Sequence, residues 1–253
     1  MANFDNEAAE RRIALVTGAS RGIGRAMALA LAKNGAHVVA LARTQGALEE
    51  LDDEIRSLPG TQAPTLLPFD LKDADAIDRV GFTLHQRFGR LDALVAAAGL
   101  LGPLTPLSHV DPKHWQDVLA INLTANWRLI RALDPLLRAS RSGRAVFFTS
   151  GASDAAARAY FGPYAASKAG LNALASVYAA ETKNTSNVRV TLVDPGPIRT
   201  RMRAAAFPGE DPNTLPTPEA LGEKVVRFCG PEWTETGLIY DFPRDALVAF
   251  VRG

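Results

Sequence analysis

The sequence contains a single cysteine, Cys229, among its 253 residues. One thiol excludes a disulfide framework and any metal site built from several thiolates, and it is typical of a reducing compartment. No run of about 18 apolar residues occurs, so no membrane-spanning helix is expected. The first dozen residues lack the apolar stretch of a secretory signal, and we therefore expect a cytoplasmic protein without a membrane partner.

An excess of charge of one sign is also missing. The chain has 28 basic and 27 acidic side chains, a formal net charge of +1. This balance argues against nucleic acid and acidic membranes as partners and favours a small molecule. The four histidines show no ligand spacing with carboxylates, so no metal site is expected. The hydrophobic fraction of 47% is that of a globular protein.

Short apolar runs alternate with amphipathic stretches along the chain, which predicts an α/β fold with a parallel sheet covered by helices on both faces. We expect one domain over 13–253 after a polar tail, 1–12. The predicted strands are 13–17, 37–42, 65–69, 93–97, 145–149, 188–193 and 238–241. The predicted helices are 23–33, 47–57, 74–88, 111–137, 163–180 and 218–228. Asp111-Pro112 and Thr217-Pro218 each predict a capped helix start.

The segment 195–216 is rich in proline and glycine, including Pro195, Gly196 and Pro197. Such residues do not sustain regular structure, and we expect a long loop here. Long loops in compact domains are commonly lids or binding loops, so we interpret this segment as a substrate lid. The alternative is a passive surface connection.

A glycine-rich turn follows the first predicted strand and precedes a helix. Gly18, Gly22 and Gly24 let the backbone approach a phosphate closely, and the helix N-terminus offers free N–H groups and a positive dipole end. This context predicts a dinucleotide site. An ordinary tight turn is the alternative.

Tyr164 and Lys168 are four residues apart on a predicted helix and therefore share one face. A neighbouring ammonium favours the phenolate, and lowering the tyrosine pKa from about 10 to near 7 requires roughly 4 kcal/mol. The pair is a candidate general acid or base, although a surface tyrosine beside a solvated lysine has the same pattern. Asn122 lies on the apolar stripe of the helix from Asp111. A buried amide there bonds ordinary backbone, holds a water molecule or interrupts the helix near a site.

These motifs together resemble the short-chain dehydrogenase/reductase family over about residues 12–240. The resemblance rests on the glycine turn, Asp70-Leu71, Ala98-Gly99, Asn122, Ser150, the Tyr164 and Lys168 pair, and the stretch from Pro195 through Ile198 to Thr200. It implies a Rossmann-like, doubly wound, seven-stranded parallel sheet of order 3-2-1-4-5-6-7. It also implies a homodimer or homotetramer assembled through the helices 111–137 and 163–180.

The resemblance implies a role for each catalytic candidate. Tyr164 is expected to be the acid/base, Lys168 to bind the nicotinamide ribose and lower the tyrosine pKa, Ser150 to bond the substrate carbonyl, and Asn122 to hold a relay water. Ser150 stands fourteen residues before the tyrosine rather than the usual thirteen, so Ser153 is the reserve candidate. The family's Asn-Asn-Ala-Gly reads Ala96-Ala97-Ala98-Gly99 here, which we expect to lower stability more than activity.

The cofactor preference follows from charge at the end of the second strand, where an acidic residue would repel a 2′-phosphate. This sequence has Arg43 there, and Arg21 lies in the glycine turn. Each alone could be a solvated loop charge, but together they favour NADP(H) over NAD(H). The expected cofactor contacts are Gly18, Ser20, Arg21, Gly22, Ile23, Gly24, Arg43, Thr44, Asp70, Leu71, Ala98, Gly99, Tyr164, Lys168, Pro195, Gly196, Ile198 and Thr200.

The expected activity is hydride transfer between a nicotinamide and a carbonyl or alcohol carbon of a small organic substrate. Ser150, Tyr160, Met202 and Phe207 are the expected substrate contacts, with Phe161 as a further aromatic neighbour. Reduction of 3-oxoacyl thioesters in fatty-acid synthesis is one alternative. A nucleotide-binding sensor or scaffold without catalysis is the other.

Overall fold

The computed structural model describes residues 11–151 and 158–250. Ser153 and residues 1–10 of the predicted tail lie outside the described residues. The strands are β1 (Ile13–Thr17), β2 (His37–Ala42), β3 (Thr65–Pro68), β4 (Ala93–Ala96), β5 (Arg144–Phe148), β6 (Arg189–Asp194), β7 (Leu238–Asp241) and β8 (Ala246–Ala249). The first seven lie within one residue of their predicted bounds at either end.

The helices cover the predicted segments with two differences: the helix predicted from Asp111 is interrupted, and the helix predicted over 218–228 ends at Val225 and continues as a 3₁₀ turn, Val226–Cys229. They are α1 (Gly22–Lys33), α2 (Gln45–Ser57), α3 (Ala74–Phe88), α4 (Pro112–Leu119), α5 (Ala125–Ala139), α6 (Gly162–Lys183), α7 (Arg201–Ala206) and α8 (Pro218–Val225). The two predicted caps are confirmed, since the Asp111 and Thr217 side chains accept backbone N–H groups at the starts of α4 and α8.

The helix predicted from Asp111 is divided. A single π-helical turn, Ala120–Thr124, separates α4 from α5. Such turns widen a helix locally and are frequent at functional sites. Asn122 lies in the middle of this turn.

The strands form one sheet of order β3-β2-β1-β4-β5-β6-β7-β8. The predicted order of the first seven strands is confirmed, and they pair in parallel. An eighth strand, which the sequence analysis missed, adds to the edge antiparallel to β7. Its residues, Ala-Leu-Val-Ala, are as apolar as those of β4, but three of the four are exposed, and a run of four apolar residues near the end of the chain does not by itself predict a strand.

Helices cover both faces of the sheet, as predicted. The strand β1 is buried along its whole length because alternate residues face opposite layers. Val16 packs on the side of α1, α2 and α8. Leu15 packs on the side of α3, α5 and α6. None of the helices in the described residues is both long and apolar enough to cross a membrane.

Two further differences from the sequence prediction concern the 195–216 segment and the start of the domain. The 195–216 segment contains the short helix α7, so the expectation that it lacks regular structure is wrong for those six residues. Thr200 starts this helix by accepting the N–H of Arg203 at 3.1 Å. Arg12, which we assigned to the tail, belongs to the folded domain, since its guanidinium donates to the Ser142 hydroxyl at 2.6 Å.

Candidate active site

The carboxyl ends of the central strands meet at one edge of the sheet because those strands are parallel. The glycine turn follows β1, Ala98 and Gly99 follow β4, Ser150 lies two residues after β5, and the 195–200 segment follows β6. The candidate site is therefore assembled from four separate parts of the chain.

The glycine turn packs closely against the end of β4. Gly18 has a φ of +68°, and a Cβ at this position would lie only 2.9 Å from the Cα of Ala98. A Cβ on Gly24 would overlap the carbonyl oxygen of Gly18. The Thr17 hydroxyl accepts the N–H of Ala98 at 3.1 Å, so β1 and β4 remain tied although Ala97 replaces the family's asparagine. Side chains larger than hydrogen would break this turn.

The N-terminus of α1 suits an anion. Within the described part of the chain, its cap residue Arg21 makes no side-chain cap bond and its first turn holds no acidic residue. The first N–H groups of a helix have no partner within the helix, and they favour negative charge. A Cβ on Gly22 would lie 3.5 Å from the Thr200 methyl carbon, so the 195–200 segment adjoins this turn. These groups fit the pyrophosphate of a dinucleotide.

The expected 2′-phosphate region lies at the ends of β2 and β3. The Arg43 guanidinium is exposed and pairs with the Asp70 carboxylate at 3.7 Å. The Asp70 carboxylate also accepts the N–H of Lys72 at 3.0 Å. The structure thus brings together Arg43, the expected 2′-phosphate residue, and Asp70, another expected cofactor contact. Arg21 is exposed at the glycine turn.

The other expected cofactor residues follow strand ends on the same edge of the sheet. Some are buried and form its wall, namely Leu71, Pro195 and Ile198. Others are exposed or half-buried, namely Ser20, Ile23, Thr44 and Gly196.

Tyr164 lies in the first turn of α6 and hydrogen-bonds the Ser150 side chain. Burial raises the pKa of Tyr164, the Ser150 hydrogen bond lowers it, and the Asp194 carboxylate raises it. The net shift is upward, opposite to the sequence-based expectation, because the cost of burying the phenolate exceeds the benefit of one hydrogen bond. Ser150 is thus the serine beside the phenol, while the reserve Ser153 falls outside the described residues.

Lys168 lies one turn further along α6 and is buried. Its ammonium donates to the Phe148 carbonyl oxygen at 2.7 Å. The ammonium is 5.7 Å from the centre of the Tyr164 ring, so the predicted shared face is present. Burial lowers the pKa of Lys168 from 10.5 to about 8, while the Asp194 carboxylate raises it. A buried lysine with this pKa is typical of a functional site.

The Asn122 side chain lies near Gly99, as does the Lys168 ammonium. A Cβ on Gly99 would lie 3.7 Å from the Asn122 amide oxygen and 3.9 Å from the Lys168 ammonium nitrogen. The amide oxygen accepts the N–H of Leu100 at 2.8 Å, and the amide nitrogen donates to the Leu100 carbonyl and to the Ser167 hydroxyl, both at 2.9 Å. Two of the alternatives that the sequence left for Asn122 are therefore both observed: its amide hydrogen-bonds the backbone, and the helix is interrupted at this residue.

The segment predicted to be a lid, 195–216, reaches the site through aromatic contacts. The Phe207 ring stacks on Phe161 with centroids 6.1 Å apart, and Phe161 meets the Tyr164 ring edge-on at 6.4 Å. The Arg203 and Arg158 guanidinium carbons lie 3.7 and 4.8 Å from the Phe207 ring centre. Phe207 is thus connected to the Tyr164 ring through Phe161.

The other expected substrate contacts differ in position. A Cβ on Gly99 would lie 3.7 Å from the terminal carbon of Met202, which places that side chain near Asn122 and Lys168. Tyr160 is 56% exposed, and its neighbour Phe161 is the aromatic residue that turns inward. The left-handed backbone of Tyr160, with a φ of +72°, produces this arrangement.

Sequence reasoning missed two groups near the catalytic pair. The Asp194 carboxylate, which acts on the pKa of both Tyr164 and Lys168, follows from no motif quoted above. The Ser167 hydroxyl donates to the Tyr164 carbonyl at 2.7 Å while accepting from Asn122. Its position directly before Lys168 was the available signal, since a residue there projects from the turn that also carries the tyrosine.

Comparison with known proteins gives consistent matches. The family model described as short chain dehydrogenase matches residues 12–211. The uncharacterized oxidoreductase YciK of Escherichia coli (strain K12) is 38% identical over 233 residues, which cover 91% of both chains. The NADPH-dependent pterin aldehyde reductase of Arabidopsis thaliana is 29% identical over 221 residues, covering 87% of this chain and 88% of the other.

A solved structure has the same fold. A short chain dehydrogenase from Escherichia coli CFT073, complexed with NADPH, is 36% identical, with a TM-score of 0.88. The match covers 96% of this chain and 99% of that one.

Proposed function

The chain belongs to the short-chain dehydrogenase family and is an oxidoreductase of that family. On this basis we propose that it interconverts a carbonyl and an alcohol on a small organic substrate, with NADP(H) as the cofactor. The observation that carries the proposal is the convergence of Ser150, Tyr164, Lys168 and Asn122 beside the glycine turn. These four polar groups come from three segments, and a purely structural role would not require them to meet, because withdrawing polar groups from water costs free energy.

The choice of NADP(H) rests on the chemistry of the site and on a relative. The end of β2 carries Arg43 and no carboxylate through Thr44, which suits a 2′-phosphate. The uncapped start of α1 suits the pyrophosphate. The related short chain dehydrogenase from Escherichia coli CFT073 was crystallised with NADPH. When bound, the nicotinamide supplies or accepts the hydride.

The remaining chemistry belongs to the protein. The Ser150 hydroxyl hydrogen-bonds the carbonyl oxygen of the substrate and orients it toward the phenol. The Tyr164 hydroxyl donates its proton to that oxygen during reduction and takes it back during oxidation. Because burial raises the pKa of Tyr164, the phenol holds its proton at neutral pH, which suits reduction. The Lys168 ammonium then returns a proton to the phenolate through a water molecule that donates a hydrogen bond to the Asn122 carbonyl oxygen, and solvent reprotonates the lysine.

The lid forms the substrate-facing wall in this proposal. The stacked rings of Phe207 and Phe161, together with Met202, present a mostly apolar surface near Tyr164. Such walls favour an apolar or aromatic group beside the carbonyl. The aldehyde substrate named for the Arabidopsis thaliana relative is compatible with this chemistry.

We further propose that the protein is a homodimer or homotetramer built through α4 to α6. Trp127 on α5 and Val177 on α6 are exposed by 45% and 56%. Large apolar side chains on two helices of one layer favour contact with a second copy.

A substrate screen tests the proposed activity. The purified protein is mixed with NADPH or NADH and with aliphatic aldehydes, aromatic aldehydes, ketones or an acetoacetyl thioester, and the loss of absorbance of the reduced nucleotide is followed. We expect faster oxidation of NADPH than of NADH with at least one aldehyde or ketone. A marked preference for the thioester would favour acyl-chain reduction instead. Tight NADPH binding without oxidation across the panel would favour a non-catalytic sensor.

A further inference from the structure

A second asparagine lies buried next to the candidate site. Asn126, in the first turn of α5, is 4% exposed, and its amide nitrogen donates to the backbone carbonyl oxygen of Asn122 at 2.7 Å. Asparagine is a weak helix former, and burying its amide requires hydrogen-bond partners. An apolar residue would be the simpler choice at such a position, so the retained amide needs a reason.

The side chain of Asn122 already makes hydrogen bonds that hold neighbouring segments in place. It ties the loop after β4 through both backbone groups of Leu100 and reaches the Ser167 hydroxyl of α6. Ser167 in turn donates to the Tyr164 carbonyl. Asn126, Asn122 and Ser167 therefore form a continuous hydrogen-bonded path from α5 to the turn that carries the phenol.

The backbone at Asn122 departs from regular α-helical geometry, which affects its carbonyl group. The π-helical turn Ala120–Thr124 replaces the regular ladder of an α-helix at this residue. A carbonyl oxygen has two acceptor lone pairs, so it can accept the Asn126 amide together with a second donor such as water. The Asn126 amide thereby fixes the plane of the Asn122 peptide.

We propose that Asn126 is a positioning residue that orients the Asn122 carbonyl toward the proton relay of Tyr164 and Lys168. The inference rests on the proposed function, in which that carbonyl binds the relay water. Asn126 itself touches neither substrate nor the phenol in this arrangement. Its contribution is to speed the return of the proton without altering how nucleotide or substrate binds.

The test compares Asn126→Thr with Asn126→Val. The two side chains have nearly the same shape, but only threonine can donate a hydroxyl to the carbonyl four residues earlier. We expect kcat of the valine variant to be about five to ten times lower than that of the threonine variant, since one hydrogen bond is lost. The solvent deuterium isotope effect on kcat should rise in the valine variant. The KM and the Kd for NADPH should stay equal in both.

Asn34 offers a matched control. Its amide nitrogen donates to the Ala30 carbonyl at 2.7 Å, again four residues earlier, at the end of α1 away from the phenol. Asn34→Thr and Asn34→Val should show the same kcat and the same isotope effect as each other. A loss of stability common to both positions is thereby separated from an effect on proton transfer.

Equal kcat and equal isotope effects in the two Asn126 variants would overturn the proposal and leave Asn126 a purely structural residue. If Asn126→Val does not fold, Asn126→Ser and Asn126→Ala repeat the comparison of a donor with no donor. Tyr164→Phe is assayed alongside. Undiminished turnover in that variant would overturn the proposed function itself, whatever the Asn126 pair shows.

Discussion

The Lys168 ammonium is buried and donates to the Phe148 carbonyl oxygen. Spacing alone predicted that it shares a helix face with Tyr164, because four residues make about one turn. Spacing did not predict its burial, which depends on how α6 packs against β5 and the lid. The upward pKa shift of Tyr164 was missed for the same reason, since desolvation is a property of the packed protein.

Stability should depend on pH through this lysine. Its pKa is about 8 in the folded protein and 10.5 as the ordinary value, so the folded state binds fewer protons between these limits. Stability contributed by the group therefore rises with pH across this window. We expect the free energy of unfolding of wild type, relative to Lys168→Met, to increase by about 2 kcal/mol between pH 7 and pH 10. Urea unfolding at both values measures it, and a constant difference would contradict it.

We expect Arg43 to decide the preference for NADP(H) over NAD(H). Replacing it with alanine removes a permanent positive charge from the end of β2. The loss of a charged hydrogen bond, about 1.5–3 kcal/mol, should weaken NADPH binding about 10- to 100-fold and leave NADH binding nearly unchanged. Fluorescence titration measures both.

The control for this substitution is Arg138→Ala, which removes an arginine paired with Asp134 on α5. It should leave both affinities unaltered. Equal weakening of NADPH and NADH in Arg43→Ala would show that the arginine does not read the phosphate.

At the scale of elements, the inner strands were predictable because burial on both faces makes them apolar along their length. Their order followed from the family resemblance and is confirmed. The edge strand β8 and the six-residue helix α7 were not predictable in this way, because short, exposed elements depend on neighbours for their stability. An interruption of the helix at Asn122 was only one of several interpretations of the sequence, because the residues around Asn122 follow the pattern of a continuous amphipathic helix.

The position of the lid should depend on one aromatic ring. Phe207 connects the segment after α7 to Phe161, next to Tyr164, and Arg203 and Arg158 lie against it. Phe207→Ala removes contacts worth about 1–2 kcal/mol, so the substrate KM should rise about tenfold. The NADPH affinity should not change, because the glycine turn is untouched. Steady-state kinetics separate the two.

Phe82 is the matched control, since its ring on α3 is 67% exposed. Phe82→Ala should have wild-type kinetics. An unchanged KM in Phe207→Ala would mean that this ring is not part of the substrate wall.

At the scale of the whole molecule, we expect assembly to depend on the exposed faces of α5 and α6. Trp127→Glu and Val177→Arg each place a charge where the proposed interface excludes water, at a cost that should dissociate the oligomer. Light scattering after gel filtration should give the mass of a dimer or tetramer for wild type and a lower mass for either variant. Phe82→Glu, on α3, should keep the wild-type mass. A wild-type mass of 27.0 kDa, that of one chain, would contradict the assembly.

The central claim is that the Tyr164 hydroxyl moves the proton while the nucleotide site is independent of it. The most direct measurement is kcat/KM of Tyr164→Phe with a carbonyl substrate found in the screen, paired with its Kd for NADPH. Loss of a general acid should lower kcat/KM about 100- to 10,000-fold and leave the Kd near that of wild type. Turnover at the wild-type rate would contradict the claim.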